Sequence, residues 1–529
     1  MILDKDLLSI QEARNLAAKA KDAQLEYQHF SQHQVDKIVK AMAEAGYEAS
    51  AKLAKMACDE SGFGVYEDKI IKNQFGTKNV YESIKNLKTV GIIAEEANGK
   101  VLKIASPMGV VCALIPSTNP TSTAMFKALI SLKSRNAIVA SPHPRTTKCT
   151  AESLKILSDA AENAGAPKGI IQCMSEPTIE GTEALMHDKN ISVILATGST
   201  PMVRAAYSSG KPAYGVGSGN VPAFIEKTAN YQKAVADIIY GTTFDNGTLC
   251  SSEQSMIVDL PLKEKVIEEA KTQGCYFVNA EEKEKLARAV QTNLKINPEI
   301  VGKPATFIAN YAGFTVPENT KVLMATCYDV GRKEPLSIEK LSPILAFYVV
   351  DGWLEGCHRC IDLLHFGGIG HTLVIHSNDE PIIMKFALEK PAFRILVNTV
   401  ASIGAIGYTT ALDPSMTLGP GTWGGSIISD NVTAKHLLNI KSLAFETNPI
   451  NKGKSVDKFE TQKYKGGKDW FIKEIEERLR ERAGNMPLKE TYQYEKIKEP
   501  VEQKSPVKPV KYGSGITEEE VKRIIEEFK

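Results

Sequence analysis

The chain has 529 residues, 43% of them hydrophobic, with 64 lysines and arginines set against 63 acidic residues. That length exceeds what one hydrophobic core serves, so more than one domain is expected, and the balanced charge leaves no basic excess to neutralise a nucleic-acid backbone. No run approaches the length of an apolar membrane span and the opening MILDKDLLSIQEARN lacks the order of a secretory signal, so a globular cytoplasmic chain with no membrane partner is expected.

The first hundred residues read as helices, with apolar positions three and four apart through HQVDKIVKAMAEAGYEASAKLAKMA, and nothing in them points to chemistry. The next hundred alternate. GVVCALIP at 109–116, NAIVAS at 136–141, GIIQCM at 169–174 and ISVILAT at 191–197 are short β-branched runs closed by turn residues, and TSTAMFKALISLK, TKCTAESLKILSDAAENAG and TIEGTEALMHD are helical stretches between them. Such a series predicts an α/β fold with a doubly wound parallel sheet, which takes ligands beyond the carboxyl ends of its strands. Two loops lie there: one holds Ile115, Pro116, Ser117 and Asn119, the other Thr197, Gly198 and Ser199. A second α/β region is expected over about 222–410, with strand-like SMIVD, ILAFYVV and TLVIHS and helices such as KEKVIEEAKTQ.

Nine cysteines, at 58, 112, 149, 173, 250, 275, 327, 357 and 360, are scattered and odd in number, the pattern of reduced thiols rather than of a disulfide framework. Cys357 and Cys360 have a metal or redox spacing, but no second pair follows; the segment reads as an amphipathic helix with Cys357, Cys360, Ile361 and Leu364 on one stripe, and no metal is expected. Cys250 is different. In TTFDNGTLCSSEQSMIV it sits among small polar residues just before a strand-like run, where a thiolate can attack a carbonyl carbon and leave a thioester, although the spacing alone also fits an inert core cysteine. Asn119 can donate its amide to an oxyanion, and equally its place before Pro120 suits a simple turn. ILATGSTPMVRAA reads as strand, glycine turn and helix, whose free N–H groups suit a pyrophosphate without the GxGxxG fingerprint. Gly215, Gly217 and Gly219 of YGVGSGN read as a close backbone approach beside the site.

Together IPSTNP, LATGST, YGVGSGN, DNGTLCSSEQ, EKLSPIL, FGGIGHT and GPGTWGGSIISDN resemble the aldehyde dehydrogenase superfamily, specifically its CoA-acylating acetaldehyde and propionaldehyde dehydrogenases, over about residues 1–446. The resemblance implies an aldehyde dehydrogenase-like fold: a Rossmann-like NAD-binding domain over 1–221 with a β oligomerisation segment near 94–105, an α/β catalytic domain over 222–410, and a return to the NAD-binding domain and the small oligomerisation element over 411–446. It implies Cys250 as nucleophile, with Asn119 and the Cys250 N–H as oxyanion hole. Ile115, Pro116, Ser117, Thr197, Gly198, Ser199 and Gly217 are expected at the cofactor, with Glu339 near its ribose and His371 assisting coenzyme A or shaping the site, or equally serving as a structural histidine. The hydrolytic branch activates water with a glutamate whose place is taken here by Gly215, so the thiol of CoA is the expected acceptor. The lysine that holds the adenosine ribose in many relatives is absent, because Ser141 precedes Pro142; NAD is expected, because Arg145 is the one nearby arginine for a 2′-phosphate and its position is not fixed by the sequence.

The implied reaction takes a short aldehyde, propionaldehyde ahead of acetaldehyde, with NAD and CoA to acyl-CoA and NADH. The alternatives are a hydrolytic dehydrogenase and a non-catalytic scaffold. A dimer or tetramer is implied, with ANGKVLKIA and the strand-like GGSIIS as pairing segments. Residues 447–512 read as a charged, proline-containing linker with a helix near 469–483. Over 513–529, Thr517 and Glu520 have capping-box spacing and Val521, Ile524, Ile525 and Phe528 form one apolar stripe, a helix that orders against a partner surface or against its own enzyme. A linker and terminal helix of this kind resemble the encapsulation peptides of enzymes packaged in bacterial microcompartments, which implies a shell or cargo partner.

Overall fold

The computed structural model of the protein describes residues 4–292 and 295–451. The helices at the amino end form where local signals demand them. Ser31 opens Gln32–Glu48 with a reciprocal capping box, its backbone N–H donating to Gln34 Oε1 at 2.9 Å while Gln34 N–H donates back to Ser31 Oγ. Lys5–Tyr27 turns Ala13, Ala17, Ala20 and Tyr27 inward and packs along Ile179–His187, where Ser9 meets Gly181 closely. The helical stretch ends earlier than its sequence suggests, because Gly91–Glu96 and Val101–Pro107 pair as an antiparallel hairpin.

The first large sheet has five parallel strands in the order Ile171–Cys173, Ala137–Pro142, Val110–Ile115, Ile191–Thr197 and Ala213–Val216. Chain order reverses between Val110–Ile115 and Ile191–Thr197, so a crevice opens beyond their carboxyl ends. The helix Pro120–Lys133 is buried at every residue, packed between the sheet and the amino-terminal helices. Its Lys127 is therefore unusual. The ammonium donates to the carbonyls of Leu114 and Leu195, each at 2.8 Å, tying the two strands at the reversal, and burial pulls its pKa down to about 7.

The second sheet starts five residues after the first one ends, at Val221–Ile225. It has seven parallel strands in the order Cys275–Phe277, Val322–Thr326, Ile344–Val350, Glu253–Asp259, Val221–Ile225, Gly370–His376 and Ala392–Val397. Glu253–Asp259 is buried throughout, which anchors the loop before it. Gly352–Phe366 covers one face with Cys357, Cys360 and Leu364 buried along a single stripe. The two hydrophobic cores meet at this sheet, one on each face.

The chain then returns. Ser134 Oγ donates to the Ala434 carbonyl at 2.6 Å and Asn136 Nδ2 to that of Leu437 at 2.9 Å, which seats Leu438–Ala444 as a third antiparallel strand on Val101–Pro107. Ile440 and Leu443 on this strand face solvent. The expected strand in GGSIIS does not form. Gly425 is left-handed at φ 74° and Ile428 offers its carbonyl to Gly421 N–H at 2.8 Å, so the segment doubles back as a loop. Among the described residues, no helix is long and apolar enough to cross a membrane. The linker beyond residue 451, its helix near 469–483 and the terminal helix over 513–529 lie outside the described residues.

Candidate active site

A cleft of about 600 Å³ opens at the strand-order reversal of the first sheet, and its far wall is built by loops of the second. Ile115, Pro116, Ser117 and Asn119 line it after one central strand, and Thr197, Gly198 and Ser199 after the other. Gly217, Cys250 and Glu339 line it as well. The helix Thr200–Ser208 starts here without a side-chain cap, leaving its first N–H groups for a ligand. A side chain at Gly198 would meet nothing within 4 Å and one at Gly217 only Thr200 Oγ1 at 3.6 Å, so both glycines leave the cradle open for a bulky, anionic group such as a dinucleotide pyrophosphate.

Cys250 reaches the cleft through a tight loop. Asp245, Asn246 and Gly247 are all left-handed, at φ 48°, 52° and 74°, and turn the chain from the helix Tyr231–Thr243 toward the buried strand Glu253–Asp259. Of the nine cysteines, Cys250 is the one on the cleft wall. Burial pushes its thiol pKa up to about 12, the Glu339 carboxylate adds to the shift, and the Arg394 guanidinium partly offsets it. The resting group is thus a thiol, which must surrender a proton before it attacks.

Gly219 presses its backbone against Cys250. A Cβ there would fall 2.1 Å from the Cys250 carbonyl oxygen and 3.3 Å from His371 Cγ, so only glycine fits. Its N–H donates to Glu339 Oε1 at 2.9 Å. Burial raises the Glu339 pKa to about 7, against the opposing hydrogen bonds from Gly219 and Ser218. Lys340 locks the segment that carries Glu339, donating to the carbonyls of Gln254, Leu336 and Ile338 at 3.0, 2.9 and 2.7 Å.

Two expectations need correction. Gly215 does not face the cleft: a Cβ there would meet Val203 Cγ1 at 2.5 Å and the Tyr207 hydroxyl at 2.7 Å, inside the packing of the helix Thr200–Ser208. The residues of that turn that reach the wall are Val216, Gly217 and Ser218. His371, expected at the cofactor, is off the wall, 1% exposed behind Gly219, with Nδ1 3.0 Å from Thr372 Oγ1. Burial drops its pKa to about 3, so it is a neutral ring at working pH. Ser141 and Arg145 both line the cleft beyond Ala137–Pro142, the serine hydroxyl 2.8 Å from that of Thr182.

Asn119 is almost fully buried and precedes the helix Pro120–Lys133, yet its side chain makes no cap bond. It is turned to a different use. Oδ1 accepts from Lys72 Nζ at 2.6 Å, while Nδ2 faces the loop of the cysteine and donates to the Thr248 carbonyl at 3.2 Å. Lys72 and Lys69, from a segment in which the sequence showed no chemistry, converge on Asp245. Two lysines three apart on an exposed-looking helix read as a solvated face; their carboxylate partner lies more than 170 residues further along the chain.

Comparison with known proteins agrees with this fold. Residues 6–287 match the model of the Aldehyde dehydrogenase family. The chain is 46% identical over 441 residues to the bifunctional aldehyde-alcohol dehydrogenase AdhE of Escherichia coli (strain K12), a match covering 82% of this chain and 50% of that protein. It thus spans about half the length of the curated aldehyde-alcohol dehydrogenases it matches. An acetylating aldehyde dehydrogenase from Geobacillus thermoglucosidasius is 52% identical, with a TM-score of 0.84 over 85% of this chain and 100% of that one. A propionaldehyde dehydrogenase from the Clostridium phytofermentans fucose utilisation bacterial microcompartment is 29% identical, with a TM-score of 0.73 over 81% of this chain and 96% of that one.

Proposed function

The chain belongs to the aldehyde dehydrogenase family, and from that premise we propose that it is a CoA-acylating aldehyde dehydrogenase, with NAD as oxidant and Cys250 as nucleophile. The observation that carries this reading is the makeup of the wall around Cys250. Among the described residues, Glu339 is the one carboxylate lining the cleft, and one of its oxygens is already engaged by Gly219 N–H. A hydrolytic enzyme needs a base free to activate water, whereas a thiol is acidic enough to reach its nucleophilic thiolate without a dedicated base.

In the proposed reaction the Cys250 thiolate adds to the aldehyde carbon, and the oxygen that gains the electron pair is met by Asn119 Nδ2–H and the Cys250 N–H. NAD, when bound, supplies the acceptor for the hydride lost from that carbon as the thioester forms. Ser199 and the open helix end would hold its pyrophosphate, and Glu339 its ribose hydroxyls. The sulfur of CoA then forms the new thioester bond, the bond to Cys250 breaks, and the same two donors hold the second oxyanion. The sum is aldehyde, CoA and NAD⁺ to acyl-CoA, NADH and a proton. NADH absorbance with and without CoA tests this: turnover is expected only with CoA, and equal rates without it would move the chain to hydrolysis. Propionaldehyde is the proposed substrate, supported by the largely apolar lining that includes Leu249, Leu341 and Ile406. One extra buried methylene at ~0.8 kcal/mol gives it about a fourfold higher kcat/KM than acetaldehyde, and the reverse order would sink that preference.

The terminal stripe of Val521, Ile524, Ile525 and Phe528 supports a second part of the reading, packaging inside a bacterial microcompartment. Produced together with a microcompartment shell, the full chain is expected to co-purify with it and a chain lacking 513–529 to stay outside. Equal retention of both would overturn the packaging role while leaving the chemistry untouched.

A further inference from the structure

We infer that Lys72 is a positioning residue for the oxyanion-binding amide: held by Asp245, its ammonium fixes Asn119 with Nδ2 toward the nascent oxyanion and polarises that N–H. The inference rests on the reading of Asn119 given above.

The argument starts from what an ammonium can do, which is donate and never accept. Lys72 Nζ lies 2.6 Å from Asn119 Oδ1, so the amide cannot be turned over without setting its NH₂ group against a cation. Nδ2 is thereby committed to the opposite side, where it donates to the Thr118 hydroxyl at 3.1 Å and to the Thr248 carbonyl at 3.2 Å beside the Cys250 loop, and a nascent oxyanion would take over one of these bonds. A positive charge at the carbonyl end also draws electron density from the amide nitrogen, which strengthens Nδ2–H as a donor when negative charge develops on its partner.

The remaining bonds of the cluster all serve to hold that ammonium still. Lys72 Nζ donates to Asp245 Oδ2 and lies 3.4 Å from Thr248 Oγ1, which itself donates to Asp245 Oδ2 at 2.6 Å. Asp245 Oδ1 accepts from Val65 N–H at 2.6 Å, and Asp245 N–H donates to Asp68 Oδ2 at 2.7 Å. Lys69, one turn earlier on the helix Tyr66–Gln74, adds a second ammonium 2.9 Å from Asp245 Oδ2 and 3.4 Å from the Thr118 carbonyl. Three segments distant in sequence, 65–72, 118–119 and 245–248, thus share one set of charges directly behind the nucleophile loop. As a stability device this is a poor choice, since burying two ammoniums carries a desolvation penalty that apolar packing avoids. Its arrangement makes sense if the field at Asn119 is what is retained.

Lys72→Met, Asn119→Ala and the double variant test the inference with two readouts. One is CoA-dependent NADH formation, which passes through an oxyanion. The other is alkylation of Cys250 by iodoacetamide, in which sulfur displaces iodide and no oxyanion forms. Lys72→Met is expected to lower kcat by roughly 10- to 100-fold, below the loss for deleting the donor outright. KM for the aldehyde and the alkylation rate should stay within about twofold of wild type, and the double variant should be no slower than Asn119→Ala, because Lys72 acts through that amide. Multiplying losses in the double variant, or alkylation falling in step with turnover, would reduce Lys72 to a structural tie and overturn the inference. If Asn119→Ala itself leaves kcat unchanged while turnover still requires CoA, the oxyanion assignment has failed and the inference falls with it, but the acylating reaction stands. Should Lys72→Met fail to fold, Lys72→Gln, which keeps a neutral donor but removes the charge, takes its place with a smaller loss of kcat and the same expectations for KM, alkylation and the double variant.

Discussion

Replacing Cys250 by alanine is expected to lower CoA-dependent NADH formation by about four orders of magnitude or more, to the level of background. No other thiol can take over. Cys112, Cys149, Cys275, Cys327, Cys357 and Cys360 are buried, and neither Cys58 nor Cys173 lines the cleft. The fold should survive, because the change removes one sulfur atom from a cleft wall while the strand Glu253–Asp259 that anchors the loop keeps its burial and its pairing on both sides. NADH binding, followed by its fluorescence, should stay close to wild type and shows that the variant is folded. Residual turnover above about one per cent of wild type would mean that the acyl group travels by another route, and the thioester mechanism would have to be abandoned.

Asn119→Ala is expected to lower kcat by about 10²- to 10³-fold with a small change in KM, the usual cost of losing one oxyanion donor. Alanine also strips Lys72 of an acceptor inside the protein, so part of any loss could come from a loosened site. Asn119→Asp separates the two effects. The carboxylate is the same shape, keeps an acceptor for Lys72 and gains an ion pair with it, but has no N–H to offer. Its kcat should fall at least as far as that of the alanine variant while its Tm stays at or above the alanine value. An aspartate variant as active as wild type would show that the amide N–H takes no part in the chemistry.

The strand-end residues of the cleft were legible in the sequence because they follow a local rule. Ile115 and Thr197 close β-branched runs that the sheet buries, and a parallel sheet puts the ends of such runs on one edge. Cys250 and Asn119 stood out by their immediate neighbours, and Glu339 came from the family resemblance. The misreadings share a different origin. Gly215 and Gly217 are two residues apart in one glycine-rich turn, and only the position of the helix Thr200–Ser208 decides which of them meets protein and which meets open space. His371 sits in a motif beside the site in sequence, but its ring is enclosed against Gly219 and does not reach the cleft wall.

The amino-acid sequence by itself determined the alternation of strands and helices and the loops at 115–119 and 197–199 that line the cleft, because periodicity, turn residues and neighbouring small side chains act over a few positions. Tertiary structure alone decided that GGSIIS folds back as a loop, that His371 is enclosed, and that Lys69 and Lys72 leave solvent to meet Asp245 beneath Asn119. A charge has no local signature of its partner. Its attraction depends on distance and dielectric in the folded molecule, and both are set by packing between segments that the chain keeps far apart.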